Sequence, residues 1–173
     1  LKWFRSLNAE FRIFVAGNHD EAFWYDREWF HEQCLKYKVI CLDHDCYDLD
    51  GIRFFGSPEY YSHKRNPWPK MRMPEPDDFD VLVTHVPPFG VYDFSVGKNK
   101  ENCGSPELRQ FIQENKIRLH IFGHIHEGYG SGKPFYNVAL ADASKRKTLT
   151  KQPITLDITH LKERPETDGP VEA

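Results

Sequence analysis

Three observations predict an α/β fold. Short apolar, β-favouring runs recur along the chain, segments of helical periodicity are interleaved with them, and three of the runs stop abruptly at loops carrying histidine. With 173 residues, 39% hydrophobic and 28% charged, the chain can bury one sizeable core and is too short for two ordinary domains.

Arg12 to Ala16 (RIFVA) reads as a strand running into the breaker cluster Gly17-Asn18-His19-Asp20. Phe23, Phe30, Cys34 and Tyr37 then recur at spacings of 7, 4 and 3 and predict one helix over Glu21 to Tyr37, with Asp20 as its N-cap. Val39 to Leu42 is a second strand. Asp50-Gly51, set between Tyr47-Asp48-Leu49 and the run Ile52 to Phe55, predicts a two-residue hairpin turn. Ser57 to Phe79 holds five of the twelve prolines with Tyr60, Tyr61 and Trp68, and predicts a long irregular excursion.

Val81 to Thr84 is a further strand, delivering His85 just ahead of Pro87-Pro88. Tyr92 to Gly104 reads as a loop. Ser105 as N-cap, Pro106 in the first helical position and the face Leu108, Phe111, Ile112 predict a helix of about three turns. Leu119 to Phe122 (LHIF) opens into Gly123-His124-Ile125-His126-Glu127-Gly128. Phe135 to Leu140 and Ile154 to Ile158 predict two more strands, and the charged, Pro-containing stretch 161–173 is expected to be a flexible tail.

Lys plus Arg number 23 against 26 Asp plus Glu, and this net charge of -3 provides no global footprint for nucleic acid or an anionic membrane. No apolar run approaches the ~18 residues of a membrane span, and no secretory pattern opens the chain. A soluble, cytoplasmic protein is expected. Cys34, Cys41, Cys46 and Cys103 form neither a CxxC pair nor a secreted disulfide framework, so reduced thiols are expected. Residue 1 is Leu and the only methionines are Met71 and Met73, which leads us to expect a segment upstream of Leu1.

Asn18 and His19, His85, and His124 with His126 all follow strands. In open α/β sheets ligands bind where strand carboxyl ends open into a crevice, so the three loops are expected to converge. Neutral imidazoles and an amide oxygen suit Zn, Mn or Fe, and Gly17, Gly123 and Gly128 would let backbone pack closely around an ion. In extended chain His124 and His126 would share a face, with Ile125 turned away. Each motif alone also fits a structural role: a surface turn for His-x-His, a core histidine for His85, a helix-capping turn for Gly17 to Asp20.

Taken in order, Gly17-Asn18-His19-Asp20, Thr84-His85 with Pro87-Pro88, and Gly123-His124-Ile125-His126 resemble the last three of the five signature blocks of the calcineurin-like metallophosphoesterases. LHIFGHIHEGYG and the FFGSPE segment (Phe54 to Glu59) are similar to the branch called metallophosphoesterase domain-containing proteins. The resemblance implies a two-sheet αββα sandwich over residues 1–160 and hydrolysis of a phosphodiester or phosphomonoester at a dinuclear centre of Mn, Fe or Zn. It assigns Asn18, His85 and His124 to one metal, with Asn18 also touching phosphate, and His126 to the other. His19 would contact substrate and protonate the leaving oxygen, oriented by Asp20. The implied partner is a small phosphate ester, such as a nucleotide, with neither membrane nor nucleic-acid groove involved.

The family's first two blocks, Asp-x-His and Gly-Asp, are absent from this chain. Asp20, Asp93 and Asp142 stand in the wrong context to replace the bridging carboxylate. The expectation is therefore the carboxyl portion of the fold, lacking the first strands, with unpaired sheet edges and exposed apolar faces in their place. Such a chain supplies part of the centre and holds one ion or none. The alternative is a catalytically impaired phosphoesterase fold used as a binding or scaffold module. Lys98, Lys100, Arg109, Arg146 and Lys147 are read as a solvated charged face and Tyr60, Tyr61 and Trp68 as core cover, with phosphate contact and base stacking as the functional alternatives.

Overall fold

A computed structural model describes residues 1–58, 79–96, 100–142 and 148–163. Residues 59–78 of the Pro-rich excursion, with Tyr60, Tyr61 and Trp68, lie outside the described residues, as do Lys98, Arg146, Lys147 and residues 164–173 of the expected tail, while Ser57 at the start of that excursion ends a strand.

The chain opens with helix α1 (Lys2–Ser6), strand β1 (Ile13–Phe14), and helices α2 (Glu21–Tyr25) and α3 (Arg27–Lys36). Strand β2 (Ile40–Cys41) and the hairpin β3 (Asp45–Leu49) with β4 (Ile52–Ser57) follow. Next come β5 (Val81–Thr84), a short ladder of β6 (Phe94–Ser95) and β7 (Glu101–Asn102), helix α4 (Pro106–Glu114) and β8 (Leu119–Phe122). The last strands are β9 (Gly130–Gly132), β10 (Phe135–Asn137), β11 (Ala141–Asp142) and β12 (Thr148–Leu149).

Six strands form one mixed sheet in the order β3-β4-β5-β8-β10-β9, parallel from β4 through β10 and antiparallel at both edges. β1 and β2 pair in parallel as a second sheet, two strands wide among the described residues. Alternation along these strands sets the layers. Ile13, Val15, Ile40 and Leu42 face Phe54, Val81, Val83, Leu119 and Ile121 of the large sheet. The opposite face of the small sheet, Phe14, Ala16, Val39 and Cys41, packs on Phe23, Phe30 and Cys34 of α2 and α3. On the far side of the large sheet Phe55 and Leu82 meet Leu108, Phe111 and Ile112 of α4. The order helix, sheet, sheet, helix is thus the expected αββα sandwich. Gly56 admits a close approach of the two sheets: an added Cβ would collide with Leu42 Cβ and sit 2.9 Å from Leu42 Cδ1 and 3.0 Å from Val15 Cγ2.

Four expectations need correction. The single helix over 21–37 is two, because the Asp26 carboxylate accepts a 2.9 Å bond from Trp29 N and starts α3 afresh, while Asp20 makes no side-chain cap. Ile154 to Ile158 forms no strand among the described residues. Its alternation reports burial of Ile154, Leu156 and Ile158 against the sheet rather than ladder pairing. Tyr92 to Gly104 is not all loop, since β6 and β7 pair antiparallel within it. Of the tail expected from Leu161, Leu161 itself is 2% exposed, and Arg118 donates to its carbonyl at 2.8 Å.

The remaining boundaries follow local chemistry. Asp50 (φ 52°) and Gly51 (φ 78°) give the hairpin its two left-handed residues. Ser105 Oγ accepts from Leu108 N at 3.0 Å, with Pro106 in the first turn of α4. Trp3, Leu7 and Phe11 are exposed near the small sheet. No helix among the described residues is long and apolar enough to cross a membrane.

Candidate functional site

β1, β5 and β8 are three strand positions of the two parallel layers, and each ends at the same rim. There Asn18, His19, Asp20, His85, His124 and His126 all line one cavity of about 320 Å³, floored by Val15 and Gly17 and closed by 139–141. All six sequence-predicted residues are brought together, although 108 residues separate Asn18 from His126 in the chain.

Gly17 makes the convergence geometrically possible. An added Cβ there would lie 2.7 Å from His85 Cε1 and 2.9 Å from its Nδ1, so the His85 ring rests directly on the Gly17 backbone. His85 Nε2 then sits 2.9 Å from Asn18 Oδ1 and 3.2 Å from Asn18 N. One tautomer cannot both accept from the amide N–H and donate to the side-chain oxygen. When Nε2 accepts, two lone pairs face each other 2.9 Å apart, an arrangement a shared cation satisfies. With metal–ligand distances of ~2.1 Å, two donors at a right angle stand ~3.0 Å apart.

The imidazoles of His85 and His124 are 4.6 Å apart between centroids. Burial, then the neighbouring His124, His19 and His126 rings, push His85 down to about 3. Burial, then His126 and His19, push His124 down to about 4. Both are therefore neutral, the form that ligates metal, throughout the physiological range. His126 Nδ1 is buried without a hydrogen-bond partner among the described residues.

Three expected details differ. His124 and His126 do not share an extended strand: His124 is left-handed (φ 66°), Ile125 is buried and His126 opens a 3-10 turn over His126–Gly128. Rim curvature, not strand alternation, aims both rings into the cavity. A non-glycine residue in that region stores strain of about 1–3 kcal/mol, which surrounding contacts must offset. Asp20 does not bond the His19 ring among the described contacts; its Oδ2 accepts from Gly17 N at 2.6 Å and fixes the loop instead. Gly123 also differs from expectation, with nothing within 4 Å of an added Cβ. Gly128 does permit a close approach, by the Tyr92 carbonyl.

Sequence reasoning missed Asn137. It is fully buried, and its Nδ2 donates to Tyr92 O and Ile125 O at 2.9 Å each, while Oδ1 accepts from Ala139 N at 3.0 Å. It thereby ties the loop after β5 to the loop after β8. A lone Asn ending an apolar run carries no signal of such a role. Lys151, whose ammonium donates to the His126 carbonyl and stands 5.0 Å from the Tyr129 ring centroid, was equally invisible.

The model of the calcineurin-like phosphoesterase family matches residues 1–128. The chain belongs to the calcineurin-like phosphoesterase family. It is similar to metallophosphoesterase domain-containing protein 1 of Homo sapiens, 32% identical over 161 residues that span 75% of this chain and 48% of the human protein. A UPF0046 protein of Caenorhabditis elegans is 29% identical over 184 residues, 88% of this chain and 63% of the worm protein. The chain thus spans about half the length of the human relative it matches. A solved crystal structure shares the fold with a TM-score of 0.51 at 13% identity, covering 73% of this chain and 56% of its own. These relationships support a phosphoesterase-type function, and the family generally uses divalent metals.

The calcineurin-like donor set tests that expectation. Asn18 Oδ1, two neutral imidazoles and the orphaned Nδ1 edge of His126 are borderline N and O donors that fit one divalent ion of the zinc, manganese or iron kind. Among the described residues, no three His, Cys, Asp or Glu side chains already stand as a formed metal-binding group. Asp20 is the one carboxylate lining the cavity among the described residues, and its Oδ2 is committed to Gly17 N.

Proposed function

We propose that this chain carries the histidine-rich half of a metal-dependent phosphoesterase site, acting on a phosphodiester or phosphomonoester of a small molecule. The convergence of Asn18, His19, His85, His124 and His126 on one cavity is the observation that supports the reading.

Asn18, His85 and His124 would hold a divalent ion, and His126 would hold a second or complete the first. A bound ion supplies charge to neutralise the phosphate oxygens and lowers the pKa of water. The protein's own groups do the rest. His85 and His124 are already neutral and need no deprotonation to ligate. Seating of the His85 ring on Gly17 fixes where that imidazole stands in the cavity. His19, exposed at the cavity mouth, is placed to hand a proton to the departing ester oxygen.

Manganese binding and hydrolysis of bis(p-nitrophenyl) phosphate and p-nitrophenyl phosphate provide the test. The reading expects manganese to bind and hydrolysis to follow. His19→Ala should lower kcat about a hundredfold with manganese affinity retained, while His126→Ala should lower both. Hydrolysis indifferent to both substitutions would refute the reading. A second reading, a phosphoesterase fold serving as a binding module, draws support from Asp20, the one carboxylate lining the cavity among the described residues, having its Oδ2 engaged by Gly17 N. Manganese binding without hydrolysis of either ester would favour it.

A further inference from the structure

Outside the site, two thiols meet in the layer between α3 and β2. Cys34 lies on the buried face of α3 at 1% exposure, and Cys41 ends β2 at 8%. Both belong to the apolar cluster with Ala16, Phe23 and Phe30, beneath the loop that carries Asn18 and His19. The turn between them brings the sulfurs together. Lys38 N donates to Leu35 O at 3.0 Å and Val39 N to Cys34 O at 2.9 Å, the paired bonds of a Schellman helix end. Chain leaving that turn runs straight back as β2, past the helix face it has just left, and the Cys34 and Cys41 side chains are hydrogen-bonded to each other.

We propose that Cys34 and Cys41 are an oxidation site, forming an intramolecular disulfide on exposure to a hydroperoxide. The Cys41 thiol donates to Cys34 and thereby favours the Cys34 thiolate, which makes Cys34 the attacking sulfur and raises the Cys41 thiol. In the first step the Cys34 thiolate displaces hydroxide from the peroxide O–O bond, giving a sulfenic acid and, after protonation, water. In the second, Cys41 sulfur attacks that sulfenic sulfur, the S–S bond forms and a second water leaves. Two thiols lose two electrons and two protons, and one hydroperoxide is reduced.

Lys38 closes the Schellman turn in the left-handed region at φ 55°, the conformation that motif ordinarily uses. Cys46, exposed on β3, and Cys103 are not among the residues of that apolar cluster and serve as internal comparisons.

The test is peroxide treatment of the folded chain at neutral pH, alkylation under denaturing conditions and peptide mapping. A linked Cys34–Cys41 peptide, two hydrogens lighter than its parts and restored by dithiothreitol, is expected to form with at least a tenfold loss of alkylated Cys34. In Cys41→Ser, whose hydroxyl can still donate to Cys34 but cannot resolve a sulfenic acid into a disulfide, a dimedone adduct should be trapped on Cys34. Should that variant fail to fold, the wild-type map decides alone. Recovery of both thiols as alkylated peptides after Cys46 has been oxidised would overturn the proposal, as would linkage of Cys34 to Cys46 or Cys103.

Discussion

Gly17→Ala isolates the contact on which the site is built. An alanine Cβ would lie 2.7 Å from His85 Cε1, and the ring must retreat by about 0.7 Å to reach the 3.4 Å of ordinary contact. That movement lengthens the 3.2 Å bond from Asn18 N–H to His85 Nε2 beyond hydrogen-bond range. Losing that bond costs about 1 kcal/mol, and overpacking a tight site costs about 1–3 kcal/mol. A net loss of about 2–4 kcal/mol corresponds to a fall of about 4–16 °C in Tm for a chain of this size. Manganese affinity should fall at least tenfold, because two donors have been moved apart. Differential scanning calorimetry and manganese titration read the two effects separately. Gly123→Ala is the matched control, with open space around its Cβ, and should change Tm by less than about 1 °C. An unchanged Tm and unchanged manganese binding in Gly17→Ala would refute the argument that His85 is seated on this glycine.

Asn137→Ala removes three hydrogen bonds to buried backbone and should cost about 3 kcal/mol by urea unfolding, with Asn137→Asp no better because its carboxylate faces two carbonyls. Ser105→Ala should cost about 1 kcal/mol through loss of the α4 cap, measured the same way. His120, wholly buried with Nε2 2.9 Å from Thr84 Oγ1, is held by burial at about 3, below its unfolded value. The unfolded chain binds the extra proton, so this residue's contribution is complete above about pH 6.5 and is lost as pH falls towards 3. Urea unfolding at pH 7 and pH 5 should differ by about 2 kcal/mol from this residue, and His120→Gln should remove that part of the difference. An identical pH slope in the variant would contradict the assignment.

Much of the fold was legible because its determinants are local. Val81 to Thr84 and Leu119 to Phe122 are apolar runs bounded by breakers, and both became strands with those bounds. Asp50-Gly51 fixes its hairpin through two left-handed residues, and Ser105-Pro106 starts α4 through a cap and a preset φ. Helical spacing across 21–37 was read correctly, yet the break was not, because Asp26 capping a new helix and Asp26 exposed on a continuous one look alike in sequence. Ile154 to Ile158 misled for a related reason: period-two burial arises wherever one side of an extended segment meets a core, paired or not.

The sequence by itself determined which residues are available for chemistry and that each follows a strand: Asn18 and His19 after β1, His85 after β5, His124 and His126 after β8. Only the tertiary structure decided their spacing and state. Parallel pairing of β5 with β8 and packing of β1 on the large sheet bring three loops to one rim. Close packing there desolvates His85 and His124 into neutral ligands, commits Asp20 to backbone and leaves Asn137 to hold two loops together. Burial, donor separation and carboxylate commitment are properties of groups far apart in the chain, and a linear pattern does not encode which neighbour a side chain meets.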